Sequence, residues 1–392
     1  MSLAAVIAAV LPASAQTPQS RDELIRQAKA EKAKAVTPFV PSKAEALVDR
    51  AEDLFLDGNL RWHPFFDSAL SGGGFTLGAG YRFFVSSYNT VDLRGSITFT
   101  GYKRLESEFL APRLFDRRGR LSVIGGWREA TQVGFFGLGT APTSKDDRVN
   151  YSFTQPYASA QLEVWPTRRV FFVGGGLEYS KWDQDGSSRE PSVEDVYTPA
   201  TLPGLDSDPT YLHVQGKAGV DWRTAPGYTR RGGAYGVTVH DYADHDGDFS
   251  FRQVDYDIVQ HFPILRDAWV LSLHGRAETT FLNDDQQVPF FMLPALGGGS
   301  SLRGFSSWRF RDRHSLLLQA EWRVLVNRFL DVALFYDAGK VVSRTKDLDL
   351  DGLKKDYGLG FRFHGPLATP LRIEVARGNE GLVIVFSSKA PF

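Results

Sequence analysis

From Asn59 to the C-terminus, apolar and polar residues take turns with a period of two. Val91, Leu93, Ile97 and Phe99 alternate with Asp92, Arg94, Ser96 and Thr98. Leu212, Val214, Ala218, Val220 and Trp222 alternate with His213, Gln215, Lys217, Asp221 and Arg223. Trp269, Leu271 and Leu273 alternate with Ser272, His274 and Arg276, and Leu371, Ile373 and Val375 alternate with Arg372 and Glu374. Side chains on a strand point to opposite faces in turn, so each stretch is a strand with one apolar and one polar face. That pattern alone fits a soluble sandwich, with its apolar face in a core, or a membrane barrel, with its apolar face in lipid.

Loop lengths separate the two. Sixteen strands are predicted, near 59–68, 74–84, 90–100, 105–112, 120–131, 149–165, 169–183, 210–223, 232–242, 249–262, 268–282, 314–326, 328–341, 356–364, 371–377 and 381–388. The even-numbered turns are all short, and every long connection (132–148, 184–209, 283–313 and 342–355) falls on the other side. Short periplasmic turns opposite longer outer loops are a property of outer-membrane barrels, and a sandwich has no cause to sort its loops this way. The expected fold is therefore all-β, a sixteen-stranded antiparallel transmembrane β-barrel with a short helical N-terminal segment. The 38 glycines and 13% aromatics suit strands with bends and interfacial girdles.

Three segments follow. Residues 1–15 hold an apolar run from Leu3 to Leu11 and then Pro12-Ala13-Ser14-Ala15, a small-residue cleavage site of the kind that ends a signal peptide. Residues 16–57 form a periplasmic helical segment: a charged, alanine-rich stretch, then a second helix opened by Ser42 and Glu45 as a capping box. Residues 58–392 are the barrel. No later stretch approaches the roughly 18 apolar residues of a membrane helix. Cysteine is absent, which excludes disulfides and thiolate metal sites, and the net charge of −1 argues against nucleic acid as a partner.

The connection between the eleventh and twelfth predicted strands is long and apolar. It carries Phe290, Phe291, Leu296, Leu302, Phe305, Trp308 and Phe310, so it packs rather than waving in water. Within it lies Gly297-Gly298-Gly299-Ser300-Ser301-Leu302-Arg303-Gly304-Phe305, one arginine among residues that permit tight bends. By parity, Gln319, Glu321 and Arg323 face inward on the next strand, and Asp331, Asp337 and Gly339 face inward on the one after. A loop folded into the lumen would bring Arg303 to the carboxylates of Glu321 and Asp337, and a guanidinium can fork between two carboxylates.

Leu302-Arg303-Gly304-Phe305 resembles the hallmark loop motif of the BamA/TamA superfamily, the bacterial surface antigen family of barrels. Leu318 to Arg323 and Phe335-Tyr336-Asp337-Ala338-Gly339 resemble the two strands that follow in that family. Phe135-Phe136-Gly137-Leu138-Gly139 resembles an outer-loop motif of many members, with Phe136, Gly137 and Gly139 as its defining residues. The terminal Phe392 resembles the C-terminal aromatic of barrels delivered to the assembly machinery. The resemblance implies an outer-membrane location, an Arg303–Glu321–Asp337 loop lock, and a role in outer-membrane biogenesis or in export of protein or lipid. Export would run through the lumen or through a seam between the first and last strands. It implies as partners outer-membrane lipid and an unfolded outer-membrane or secreted protein, or a separate periplasmic partner. The family's periplasmic POTRA domains have no counterpart here, since only residues 16–57 stand before the barrel.

Two other readings stay open, a passive channel or structural barrel and an outer-membrane enzyme. The inward His213, His261 and His274 have no serine or cysteine nucleophile motif beside them, so an enzyme is not expected. Asp347 to Gly352 copies the start of a calcium loop, but the twelfth position is Gly358, where a bidentate glutamate belongs. No cofactor or metal is expected.

Overall fold

The computed structural model describes residues 61–140, 144–167, 170–265, 267–365 and 368–392, with positions 23, 25, 26 and 29–31 of the N-terminal segment. The chain divides into two units, Met1–Asp49 and Arg50–Phe392. In the first, Glu23, Ile25, Arg26 and Lys29 to Glu31 are helical and exposed. The expected signal peptide and the helix opened by Ser42 lie outside the described residues.

The second unit is one antiparallel sheet of seventeen strands. Sixteen of them form the wall: β1 (Trp62–Pro64), β2 (Thr76–Phe84), β3 (Thr90–Thr98), β4 (Lys103–Arg113), β5 (Gly119–Phe135), β6 (Val149–Thr167), β7 (Phe171–Lys181), β8 (Thr210–Asp221), β9 (Gly232–Asp244), β10 (Phe251–Pro263), β11 (Trp269–Phe281), β12 (His314–Asn327), β13 (Leu330–Val342), β14 (Lys354–Phe363), β15 (Leu371–Gly378) and β16 (Gly381–Ser387). Each pairs with its neighbour in the chain, from β1–β2 through β15–β16. Among the described residues no ladder joins β1 to β16. Beyond them, Lys389 Nζ lies 2.7 Å from Asp67 Oδ1.

The wall is inverted relative to a soluble protein. Leu93, Ile97, Leu105, Leu177, Val214, Leu273, Leu334 and Val375 are exposed and face outward, while Ser272, Gln319, Glu321 and Glu374 are buried and face inward. Outward aromatics gather at the inner ends of the strands: Trp62 against Tyr81, Trp222 against Tyr235, and Trp269 against Trp322. Amphipathic rings of this kind settle at a membrane interface. The chain is an all-β transmembrane barrel.

Two features differ from the expected strands. First, β5 and β6 run to 17 and 19 residues, beyond the roughly 9–11 needed to span a bilayer. Their outer ends, with a short strand at Asp183–Gly186 on β6, support an apolar dome of Phe135, Tyr151, Phe153, Trp182, Tyr211 and Phe290. Second, the described part of β1 is only three residues long.

Candidate functional site

The β11–β12 connection, residues 282–313, turns into the barrel at its glycines. Gly297 and Gly298 sit at φ +117° and +95°, where a side chain would strain the backbone. A Cβ on Gly297 would also stand 2.2 Å from the Ser306 carbonyl. The turn closes on itself, with Gly298 N–H donating to the carbonyls of Leu302 and Phe305, both 3.1 Å. Leu302 and Phe305 then bury against Leu296, Phe310, Leu317 and Val341. Apolar packing on both sides therefore drives Arg303 into the lumen.

There Arg303 is 0% exposed. Its Nε and Nη2 donate to the two carboxylate oxygens of Asp337, each at 2.7 Å. Nη1 donates to Glu374 Oε1 at 2.8 Å and to Glu321 Oε2 at 3.1 Å. The guanidinium lies 3.5 Å from the centre of the Phe335 ring, which faces inward on β13. The group is buried completely, because the loop's own apolar residues pack around it.

Glu374 lies outside the expected trio, as do the further residues that complete the cluster. Arg362 on β14 donates to Glu321 Oε1 and Glu374 Oε1, both at 2.8 Å. Arg372 on β15 lies 3.1 Å from Glu374 Oε2 and donates to the Gly299 carbonyl at 2.8 Å. Asp356 on β14 is fully buried and directly opposite Asp337 in the ladder. Gly304 packs on it so closely that a Cβ there would stand 2.6 Å from Asp356 Cβ and 2.7 Å from the Gly378 backbone nitrogen. With Arg323, four arginines lie among the carboxylates of Glu321, Asp337 and Glu374, which offset the buried charge, while Asp356 is set against Asp337 rather than against an arginine. The cluster spans β12, β13, β14 and β15 without a break.

The loop also grips the last hairpin and the dome. Arg309 pairs with Glu380, between β15 and β16, at 2.6 Å. Gly299 rests on Val385 of β16. Arg311 donates to the Phe290 carbonyl at 2.9 Å, and Gly139 N–H donates to the Arg311 carbonyl at 2.8 Å. Phe136 lies under the Arg309 guanidinium at 4.9 Å, and Gly137 and Gly139 take φ +87° and +83°. The Phe136–Gly139 motif and the arginine loop are thus packed together.

A second inward segment lies at the opposite mouth. The β8–β9 turn crosses to the far wall, where Gly227 bridges Ala368 and Thr369 Oγ1 donates to the Gly227 carbonyl at 3.1 Å. Tyr228 stacks on His364 with ring centres 3.8 Å apart, and its hydroxyl donates to Asp331 Oδ2 at 2.8 Å. Arg323, next to Glu321 on the inward face of β12, donates to the Thr229 carbonyl. Burial and then the Asp331 carboxylate push the Tyr228 phenol well above its usual range, so it remains a donor at physiological pH. Tyr228→Phe strands a buried carboxylate oxygen, which costs about 1–3 kcal/mol. The variant should unfold at lower denaturant than the parent, and an unchanged midpoint would show that the turn is not held by this bond.

The remaining polar candidates have local partners. His274 lies 2.8 Å from Gln319 and 5.0 Å, ring to ring, from Phe392, which places the terminal aromatic inside the lumen. His213 lies 3.0 Å from His240 Nδ1, and His261 2.8 Å from Ser272. Asp349, from the calcium-like stretch, is bonded by Lys340.

Residues 67–380 match the family model described as the Omp85 superfamily domain. No curated protein matches the sequence. Among solved structures, the barrel is similar to BamA from Haemophilus ducreyi lacking POTRA domains 1–3, with TM-score 0.59, 16% identity, and coverage of 81% of this chain and 67% of that one. It is also similar to CdiB from Escherichia coli, with TM-score 0.54, 13% identity, and coverage of 84% and 60%. For CdiB from Acinetobacter baumannii the values are 0.50, 12%, 80% and 56%. The chain therefore spans less than two thirds of either CdiB chain, and at these identities the likeness is one of fold.

Proposed function

This chain belongs to the Omp85 superfamily, and on that premise we propose that it inserts or exports protein clients at the seam between β1 and β16, with the arginine loop controlling the final hairpin. The barrel resides in the bacterial outer membrane, and barrels of this superfamily handle protein substrates there.

One observation carries the proposal. The loop that buries Arg303 among β12–β15 also holds the β15–β16 hairpin through Arg309–Glu380 and Gly299–Val385. Strands β12 to β15 are tied together by the buried cluster, and the strand next to the seam is held by its ladder to β15 and by the same loop. A client strand that draws β16 outward at the seam would work against these loop contacts and the β15–β16 ladder rather than against the whole wall. A passive channel has no use for such a grip, and the lumen is crossed by the arginine loop and by the Tyr228 turn.

A disulfide tests this directly, because the chain has no cysteine of its own. A Cβ at Gly299 would stand 3.9 Å from Val385 Cβ, inside the roughly 3.5–4.5 Å that a disulfide spans. The Gly299→Cys/Val385→Cys variant, oxidised after folding in liposomes, should lose client insertion, read as protease protection of an added outer-membrane protein. Dithiothreitol should restore it. Equal insertion in both states would exclude loop control of β16. Steady bilayer conductance unaffected by the crosslink would favour the passive channel.

A further inference from the structure

Among the described residues, the inner rim carries a strongly basic turn that the barrel leaves unpaired. Arg113, Arg117, Arg118 and Arg120 fall within eight residues at the β4–β5 connection, and Asp116 is the only acid among them. All four arginines are exposed. None has a carboxylate partner among the described residues. Among the described residues the one contact of their guanidinium groups is Arg113 over the Tyr88 ring, at 3.7 Å. Arginines of the described β8–β9 turn differ. Arg223 is paired with Asp221 at 2.7 Å, Arg231 with Asp267 at 3.3 Å, and Arg230 faces Asp331 at 3.8 Å.

The surroundings identify what would neutralise the charge. Arg113 shares the outward face of β4 with Leu105 and Phe109, so it ends a column of lipid-facing side chains. Phe115, between the arginines, is 61% exposed in a turn whose residues 115–117 all have positive φ. A large aromatic held in the open beside four arginines, at the depth where the outward aromatics collect, fits a lipid headgroup region. Guanidinium groups match phosphate oxygens in geometry and charge.

We propose that the β4–β5 turn binds the phosphate headgroups of anionic phospholipids in the periplasmic leaflet, with Phe115 seated at the acyl boundary. An acidic periplasmic protein would meet the same charge, but it would gain nothing from Phe115 or from the lipid-facing column that ends at Arg113.

The experiment uses the full chain in detergent, titrated with phosphatidylglycerol or phosphatidylcholine and read by native mass spectrometry. The parent should retain phosphatidylglycerol in preference. One basic residue beside an anionic lipid surface contributes about fivefold, so Arg117→Gln/Arg118→Gln should weaken phosphatidylglycerol retention by about 30-fold. Arg231→Gln, already paired, should change it little. Arg113→Gln is the reserve variant if the double one does not fold, judged by heat-modifiable migration. Equal retention by parent and variant, or equal loss for both lipids, overturns the proposal. Stronger binding of polyglutamate than of phosphatidylglycerol vesicles by the parent would overturn it in favour of an acidic protein.

Discussion

Arg303→Ala is expected to release the β11–β12 loop while leaving the barrel wall paired. The substitution removes both bonds to Asp337 and the bonds to Glu321 and Glu374. Glu321 and Glu374 retain Arg362, so the charge left stranded is chiefly that of Asp337, with Asp356 across the ladder from it. Removing one partner of a buried pair costs about 3–5 kcal/mol, and nothing around a fully buried guanidinium screens that loss. The wall ladders do not run through Arg303, so the loss should fall on loop docking. Limited proteolysis should then cut between residues 297 and 309, with heat-modifiable migration preserved. Arg303→Lys should rescue poorly, since a single ammonium cannot hold both oxygens of Asp337 and reach Glu374 as well. Glu321→Gln with Asp337→Asn should also loosen the loop, because of the three carboxylates bonded to Arg303 only Glu374 remains. An unchanged cleavage pattern and melting point in Arg303→Ala would show that apolar packing of Leu302 and Phe305 holds the loop by itself.

The wall was legible in the sequence because its two determinants are local. Period-two alternation gives each strand, and turn length gives each side, so order, number and parity follow without knowledge of contacts. The strand at Asp183–Gly186 was not, since its pairing with β6 is made outside the membrane and leaves no alternation. The lumen cluster was legible only in part. Parity turns Arg372 and Glu374 inward together with Glu321 and Asp337. Which inward charges meet depends on register and shear across four strands, and no local signal carries that. Asp356 and Arg362 lie in a strand whose glycines, Gly358 and Gly360, interrupt the pattern. The Tyr228 turn was illegible for a simpler reason: Ala225-Pro226-Gly227-Tyr228 predicts a turn but not that it folds across the mouth.

Lysine on the outward face is expected to block assembly where lysine on the inward face does not. Leu93 and Val214 are 46% and 42% exposed on the outward face, Leu93 between Tyr81 and Ser107 and Val214 between Leu177 and Asp241. In water such exposure would tolerate a lysine; in hydrocarbon a lysine near the midplane costs about 2–4 kcal/mol, falling to about 0–1 at the interfaces. Leu93, near the centre of β3, should therefore be the most damaging site. Leu271, two residues from the interfacial Trp269, should be milder. The inward comparison is Gln215→Lys, beside Gln161 and Lys217 on the polar face, and it should be the mildest. Ser272, equally inward by parity, is not a permissive site. It is 1% exposed, bonded to His261 and within 3.5 Å of Arg323, so lysine there would set two cations together in a closed space. The measurement is folding yield and urea midpoint in lipid vesicles, with the four variants side by side. Equal loss for Leu93→Lys and Gln215→Lys would mean that the outward face does not meet lipid, and the barrel would then have to be a soluble one.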